Sequence, residues 1–544
     1  MLWIFGNKKL LFRFSFFYLI LLLVSCGNEK AIDNGKKIFR YNESAGIVSL
    51  DPAFAKDLPH IWACNQLYNG LVSLDEKLNI VPAIAHSWTV EDDGKTYIFN
   101  LRNDVYFHDN QVFNGVKRKV VASDFVFSFN RLIDPKIGSP GSWIFNYVRK
   151  DSDGYAFLAL NDSVLRITLK EAFPSFLGIL AMTYTSVLPK EAVQFYGNDF
   201  RKNPVGTGPF CFTYWKEGVK LVLQKNPEYF EFVNNERLPF IDGVSINFLI
   251  DRQTAFLDFI KGNLDFMSGI DARYKDELLT RSGLLRSKYH SKIYLESQAY
   301  LNTEFMGFFV DSIPGKVNPV QNLQLRKAIN YAIDRNKMMK FLRNGIGKPG
   351  TGGMIPYGMP GHDSTGKYGY SYQPKQAIEI IRSNNFGSSI TITTSAEYVD
   401  LAKFIQSQLT NVGLQVKIEV SPPATIRQAR ALGKLEFFRS SWVADYPDAE
   451  NYLAMFYSRN FAPYGPNYTH YKSEAFDALY EKASGIPDLT DRIGLYRQMD
   501  SLIMSDAPVV VLFYDEVLRF VNNRVTGFES NPVNILDLRR VKIH

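Results

Sequence analysis

Cysteine and histidine are scarce in this chain, and neither is grouped in a way that suits a metal ion. The 544 residues contain 3 Cys, and the 7 His are scattered. Protein zinc sites need Cys or His ligands at close spacing. We therefore expect no metal and no other cofactor. Once Cys26 is set aside, Cys64 and Cys211 remain, and the sequence leaves open whether they form a disulfide.

Motifs of hydrolytic enzymes are also missing. The sequence has neither Gly-x-Ser-x-Gly nor His-Glu-x-x-His, the arrangements that present a serine nucleophile or a catalytic zinc. Asp445 and Asp448 are close enough in sequence to be considered as a carboxylate pair, but each has a simpler interpretation. We therefore expect no enzymatic activity, and an exported hydrolase stays the alternative from another functional class.

A large excess of positive charge is absent. The chain has 62 Lys and Arg against 55 Asp and Glu, and without residues 1–25 the balance is 59 against 55. Such a small excess over a long chain does not favour binding to nucleic acid.

The N-terminus has the composition of an export signal. Lys8, Lys9 and Arg13 precede an apolar run over residues 14–24. That run is shorter than the roughly 20 residues of a membrane-spanning helix. It ends at Leu-Val-Ser-Cys26, which resembles the lipobox of bacterial lipoproteins. We predict a signal peptide over residues 1–25, lipid on Cys26 and a tether over 26–34. The alternative is an uncleaved membrane anchor, and both place the protein outside the cytoplasm.

Apolar periodicity predicts a mixed α/β chain. Residues 96–101 alternate as a strand, with 105–107 returning beside it. A helix capped by Ser123 should run to Ile133, before Pro135.

Further along, residues 390–394 and 414–420 alternate as strands. A helical pattern between them ends at Gly413, which predicts a βαβ unit with parallel strands. A second helix is predicted from about Leu323 to Arg343.

Five segments, in order, resemble the extracytoplasmic solute-binding proteins of the peptide/nickel type, the oligopeptide- and dipeptide-binding proteins of ABC importers. The resemblance runs from about residue 40 to the C-terminus. It departs at two positions. Asn110 stands where the family usually has Gly, and Phe309 stands where the family often has Asn. The segments are Leu50-Asp51-Pro52 with Leu67-Tyr68-Asn69-Gly70 and Ala85-His86-Ser87-Trp88; Asp93 to Ser128 with Phe107-His108-Asp109; Asn203 to Phe210 with Asn226-Pro227-Glu228-Tyr229-Phe230; Leu325 to Asp334; and Ser441 to Asp448.

This resemblance implies a two-lobe α/β periplasmic-binding-protein fold, the Venus flytrap. Lobe 1 would comprise residues 35–298 and 505–544, with an extra subdomain at about 61–189, and lobe 2 residues 299–504. Two hinge crossovers would lie near residues 298 and 505.

The implied function is capture of oligopeptides between the lobes and delivery to an ABC permease with its ATPases. The protein would act as a monomer, held to the membrane by lipid and facing the periplasm or cell exterior. Haem or a nickel chelate is the alternative ligand within this fold.

The chemistry of a peptide suggests where it would bind. Asp445 directly follows the apolar residues Trp442, Val443 and Ala444. The family resemblance implies that its carboxylate pairs with the α-ammonium of the ligand. Its alternative role is to cap the next helix, for which Asp448 is better placed.

Arg439 lies six residues earlier, at a position that receives the ligand carboxylate in relatives; its alternative is a surface arginine on a strand edge. Trp442 and Tyr446 are candidates for pocket walls, and Trp442 is an equal candidate for the core.

Overall fold

Two long strands, Ile293–Phe308 and Val509–Asn522, lie side by side at the centre of the largest sheet in the computed structural model. The structure describes residues 35–544, apart from 92–93, 153, 270–273, 385 and 387–388. The predicted signal peptide, Cys26 and the tether lie outside the described residues.

The strands of the described chain are β1 Ile38–Asn42, β2 Val72–Leu74, β3 Ile80–Pro82, β4 Ala85–Val90, β5 Thr96–Leu101, β6 Lys150–Asp151, β7 Gly154–Tyr155, β8 Phe157–Asn161, β9 Val164–Thr168, β10 Phe210–Lys216, β11 Lys220–Lys225, β12 Phe232–Val233, β13 Glu236–Arg237, β14 Gly243–Asn247, β15 Phe266–Ser268, β16 Ile293–Phe308, β17 Lys348–Pro349, β18 Ile390–Thr394, β19 Val416–Val420, β20 Phe437–Val443, β21 Val509–Asn522, β22 Val525–Thr526 and β23 Lys542–Ile543.

The α-helices are α1 Leu58–Leu67, α2 Ala122–Ile133, α3 Phe176–Leu180, α4 Lys190–Tyr196, α5 Arg252–Ile260, α6 Lys275–Leu278, α7 Leu323–Ala332, α8 Arg335–Leu342, α9 Pro374–Asn384, α10 Val399–Asn411, α11 Pro423–Ala431, α12 Glu450–Leu453, α13 Glu474–Ser484 and α14 Leu489–Asp506. Short 3₁₀ turns are Pro52–Phe54, Gln111–Phe113, Ser142–Tyr147, Thr183–Thr185, Gly197–Lys202, Ser287–Tyr289, Pro319–Gln321, Ala396–Tyr398, Ala454–Phe456 and Ser458–Asn460.

The main sheet has eleven strands. Its order is β10-β11-β14-β1-β15-β21-β16-β20-β18-β19, with β17 paired to β21. Strand β1 is parallel to β14 and β15, and β18 is parallel to β19 and β20, whereas β21 is antiparallel to its neighbours. A separate four-stranded sheet, β4-β5-β9-β8, falls within the segment predicted as the extra subdomain.

The buried apolar side chains form several cores. The largest core joins residues 39–266 to residues 521–543 and also includes Tyr446, and two further cores collect residues from 301 to 514 together with Leu78. Residues Ile38–His544 form one compact unit. The division into two lobes, with crossovers at 298 and 505, stays a prediction.

Several predicted elements are confirmed. Strand β5 has the predicted bounds, and α2 ends at Ile133. Strands β18 and β19 are parallel and flank α10, so the βαβ unit is present. Gly413 has φ +97°, a left-handed backbone conformation that suits glycine after a helix.

Three local predictions are wrong. Residues 105–107 do not pair with β5, because β4 and β9 occupy both of its edges; they pair with residues 118–120 instead. Ser123 lies inside α2, whose N-cap position is Val121. The helix predicted over 323–343 is two helices, because Ile333 is extended and the Asp334 carboxylate caps α8 by accepting from the Lys337 N–H at 2.9 Å.

The cysteines and the helix lengths answer two further questions raised by the sequence. Cys64 and Cys211 are both free thiols, and burial raises the pKa of Cys211 to about 12. Within residues 35–544, masked gaps aside, no helix combines the length and apolar character needed to cross a bilayer.

Candidate functional site

Asp445 lies just beyond the carboxyl end of β20, in a turn that leads to α12. Its backbone N–H donates to Asn451 Oδ1 at 3.2 Å, and Asn451 Nδ2 lies 3.4 Å from Asp445 Oδ2. The same Asn451 Oδ1 accepts from Trp442 Nε1 at 2.8 Å. One amide therefore fixes the turn and orients the carboxylate.

The Asp445 carboxylate has no cationic partner in the described part of the chain. Its side chain reaches solvent through two cavities. Surrounding atoms still displace enough water to raise its pKa, and Asn451 opposes that shift only in part. A carboxylate that is partly desolvated and unpaired is suited to receive a cation.

Asp448 has a different task. Its carboxylate accepts from Arg492 Nη2 at 2.6 Å, and both side chains are buried. It also accepts from the Glu450 N–H at 3.0 Å, at the start of α12. Asp448 thus satisfies structural partners, and nothing in the contacts couples it to Asp445 as a catalytic pair.

Two cavities border Asp445. The first, called the apolar cavity, has a volume of about 600 Å³ and includes Trp143, Tyr184, Tyr300 and Val443 in its wall. The second, called the aromatic cavity, has a volume of about 620 Å³. Its wall includes Trp143, Tyr147, Phe173, Trp442, Tyr446, Tyr457, Tyr464 and Tyr480.

Both cavities lie between segments that are distant in sequence. The segment predicted as the extra subdomain contributes one wall, and residues after 299 contribute another. These walls touch, because a Cβ placed on Gly178 would lie 3.5 Å from Pro447 Cδ. The Phe173 and Tyr446 rings also meet edge to face, with centroids 6.3 Å apart.

The two aromatic candidates differ in burial. Trp442 is half-buried and lines the aromatic cavity. Tyr446 is buried, and its hydroxyl donates to Glu450 Oε2 at 2.5 Å. Both side chains are at the cavity wall, and their role in ligand binding stays a prediction.

Arg439 is neither free nor on a surface edge. Its guanidinium forms a bidentate pair with the buried Glu304 on the neighbouring strand β16, with Arg439 Nη2 2.6 Å from Glu304 Oε2. It also lies over the Tyr398 ring at 3.5 Å. Burial raises the pKa of Glu304, and Arg439 opposes that rise. Part of the positive charge of Arg439 is therefore already neutralised.

A third cavity, of about 210 Å³, collects arginines and is called the arginine cavity. Its wall includes Arg427 and Arg430 from α11, Arg439 and Ser441 from β20, and Thr394 from the end of β18. The Thr394 hydroxyl is buried and has no hydrogen-bond partner in the described chain. Arg430 donates to Ser440 Oγ at 2.6 Å. Guanidinium groups and an unused hydroxyl suit a carboxylate ligand.

Sequence reasoning did not identify Arg430, Glu304 or Asn451. Arg427 and Arg430 are three residues apart, so the sequence carried a signal that both face the same side of a helix. Glu304 carried no signal, because strand pairing over a separation of 135 residues brings it to Arg439.

Metal-ligating residues do not cluster in the described chain. Among the residues that the structure describes, no group of three or more His, Cys, Asp or Glu is placed to hold a metal ion.

Comparison with known proteins agrees with this architecture. The profile of the bacterial extracellular solute-binding proteins, family 5 (middle), matches residues 79–463. The dipeptide-binding protein DppE of Bacillus subtilis is 24% identical over 538 residues, covering 94% of this chain and 93% of DppE.

Two solved structures resemble the fold. The structure of HbpA2 from Haemophilus parasuis has a TM-score of 0.82 at 22% identity, covering 93% of this chain and 99% of the other. DppA from Helicobacter pylori, an ABC transporter-associated periplasmic binding protein in complex with the peptide STSA, has a TM-score of 0.71 at 27% identity, covering 94% and 100%.

The fold is therefore the predicted mixed α/β fold of periplasmic binding proteins. The relatives are binding proteins of transporters rather than enzymes. With the family profile matching most of the sequence, the chain belongs to the bacterial extracellular solute-binding proteins, family 5.

Proposed function

We propose that this protein captures oligopeptides outside the cytoplasm and delivers them to an ABC importer. The observation that carries the proposal is the Asp445 carboxylate, which is partly desolvated, has no cationic partner among the described residues, and borders two cavities of about 600 and 620 Å³. A free peptide carries an α-ammonium, and the charge of Asp445 complements it. These cavities give room for side chains of varied shape.

The named relatives support a peptide ligand. DppE is a dipeptide-binding protein, and the DppA structure contains a bound peptide. The alternatives within the same fold are haem and a nickel chelate. An ammonium group complements the Asp445 carboxylate better than haem or a nickel chelate does.

The arginine cavity offers a second anchor, for the ligand carboxylate. Arg439 is paired with Glu304, so Arg430 and the Thr394 hydroxyl, which has no hydrogen-bond partner among the described residues, are better suited than Arg439 alone. Ser441 borders this cavity and precedes Asp445 by four residues, a separation of at most about 13 Å in an extended chain. Peptides of about three or four residues span a similar distance.

No chemical step is part of the proposal. Ligand held between the two predicted lobes would contact both and so favour a closed state over an open one. The closed state would then be the form that docks on the permease, with the protein acting as a monomer.

We further propose that Cys26 carries lipid and anchors the protein, as the lipobox-like sequence indicates. Two or more acyl chains give stable membrane attachment. Metabolic labelling with a palmitate analogue should mark the wild type and not Cys26→Ala. Equal labelling of both proteins would contradict the anchor.

Mass spectrometry of co-purified ligand tests the main proposal. The full chain is purified from cells in mild detergent, denatured, and its released small molecules are identified. We expect a mixture of short peptides, mostly three or four residues long. Asp445→Asn, purified in the same way, should carry much less peptide. Recovery of haem, a nickel chelate or one defined non-peptide solute would refute the peptide proposal.

A further inference from the structure

The aromatic cavity contains more negative charge than a single peptide ammonium requires. Four carboxylates border it, namely Glu171, Asp445, Glu450 and Glu481, against one cationic side chain, Arg459. A ligand held only by its α-ammonium needs one of them. The state of each carboxylate therefore decides whether the cavity is built for a second cation.

Two of the four carboxylates already have partners. Glu481 accepts from Arg459 Nη2 at 2.8 Å and from the Tyr457 hydroxyl at 2.7 Å. The buried Glu450 accepts hydrogen bonds from the Tyr446 and Tyr480 hydroxyls. These two groups are satisfied within the wall and leave no strong site for a ligand.

Glu171 differs from these two carboxylates in its contacts. It follows β9 by three residues and is exposed at the cavity, without a hydrogen-bond or ion-pair partner among the described residues. Burial raises the pKa of the Tyr147 phenol, and the nearby charges of Glu450, Glu171 and Asp445 add to that rise. The Tyr147 ring stacks on the Phe173 ring with centroids 4.0 Å apart, which holds it in the wall of the aromatic cavity.

The aromatic surroundings also favour a cation. The faces of Trp and Tyr rings attract ammonium and guanidinium groups, and more strongly where water is displaced. Such rings also pack against the methylene stem of a long basic side chain. By contrast, the apolar cavity, which also borders Asp445, has a mostly apolar wall.

We infer that the aromatic cavity receives a lysine or arginine side chain of the bound peptide, with Glu171 as its counter-ion and Asp445 holding the α-ammonium. The inference rests on the proposed function and adds to it a preference for peptides that carry a basic side chain. Successive side chains of an extended peptide point to opposite sides. The aromatic cavity therefore takes the side chain of only one of the first two residues, and tripeptides with lysine at either position distinguish the two cases.

Calorimetry with matched tripeptides tests this inference on the full chain in detergent. Lys-Leu-Ala is compared with norleucine-Leu-Ala, and Leu-Lys-Ala with Leu-norleucine-Ala, because norleucine keeps the aliphatic stem without the charge. In one of the two pairs, we expect the lysine peptide to bind at least about tenfold more tightly. Raising the salt concentration should reduce this preference.

Variants assign the preference to Glu171. Glu171→Gln should reduce the ratio between lysine and norleucine peptides to less than about threefold, because the counter-ion is lost. Glu419→Gln, which removes an exposed carboxylate on the edge strand β19, should keep the wild-type ratio.

The outcomes separate the two proposals. If lysine and norleucine peptides bind equally in both positions, the cation site is refuted while peptide binding stands. A ratio that survives Glu171→Gln also refutes it. If none of the four peptides binds the wild type, the proposed function fails and the inference fails with it. The wild-type comparison decides the question even where a variant does not fold.

Discussion

Replacing Asp445 by asparagine should weaken ligand binding and, at neutral pH, make the empty protein more stable. Asp445 is partly desolvated and has no cationic partner in the described chain, so its charge opposes folding. The neutral amide removes that penalty and keeps the shape of the side chain. Losing the carboxylate, however, leaves the ligand ammonium without a counter-ion.

The size of the binding loss follows from the position of Asp445. Breaking a fully buried ion pair costs about 3–5 kcal/mol. The Asp445 side chain borders cavities that open to solvent, and solvent weakens an ion pair. We therefore expect a smaller loss of binding free energy, about 2–3 kcal/mol, or roughly 30- to 150-fold in affinity.

The effect on stability has a defined pH dependence. The folded protein raises the pKa of Asp445, so this group favours folding at low pH and loses that contribution as pH rises through its folded pKa. The advantage of Asp445→Asn should therefore be present at pH 7. It should disappear below about pH 4, where the wild-type carboxyl is protonated in both states.

Asp448→Asn is the matched control. Asp448 lies three residues away, but it is paired with the buried Arg492. Its loss leaves an unpaired buried charge and should destabilise the protein by about 3–5 kcal/mol. Thermal unfolding and calorimetry with Ala-Ala-Ala distinguish the two variants. Asp445 would not be the ammonium site if Asp445→Asn destabilised the empty protein as much as Asp448→Asn does, or if it bound the tripeptide with wild-type affinity.

Three further predictions follow from other contacts. Arg430→Gln should shrink the difference in affinity between Ala-Ala-Ala and its C-terminal amide by about tenfold, measured by calorimetry; an unchanged difference would exclude Arg430 as a carboxylate anchor. Burial raises the pKa of Asp500 to about 7, so its contribution to stability should fall as pH rises from about 4 through 7, and Asp500→Asn should flatten the melting temperature over that range; a parallel profile would contradict this. Phe129→Ala removes a ring 4.7 Å from that of Phe145 and should lower the unfolding free energy in urea by about 3–5 kcal/mol; a loss below 1 kcal/mol would show that the core refills the space.

Local patterns in the sequence predicted those elements whose apolar residues repeat without interruption. The βαβ unit of β18, α10 and β19 was predicted because both strands alternate and Gly413 ends the helix. The helix over 323–343 was predicted wrongly because its apolar pattern continues across the break. An aspartate at position 334 does not by itself predict a helix break. The break depends on the contact in which the Asp334 side chain accepts from the Lys337 N–H and starts α8.

The site was predicted less completely than the fold. Asp445 carried a signal in its sequence context, and the structure places it at the border of two cavities. Arg439 was predicted as a ligand contact, but its pairing with Glu304 depends on the register of β16 against β20. Glu171 is a single acidic residue after a strand. Its importance depends on which carboxylates around it have partners, and a sequence does not contain that information.

The position of β21 has a consequence for how the protein is made. This strand is encoded near the end of the chain, yet it lies between β15 and β16 and joins the two sides of the main sheet. The sheet therefore cannot close until almost the whole polypeptide has been synthesised. For a protein that works outside the cytoplasm, late closure would keep the nascent chain loose enough to be threaded through a secretion channel. A premature stop codon that removes β21 would leave two unpaired strand edges, an open template for aggregation and proteolysis.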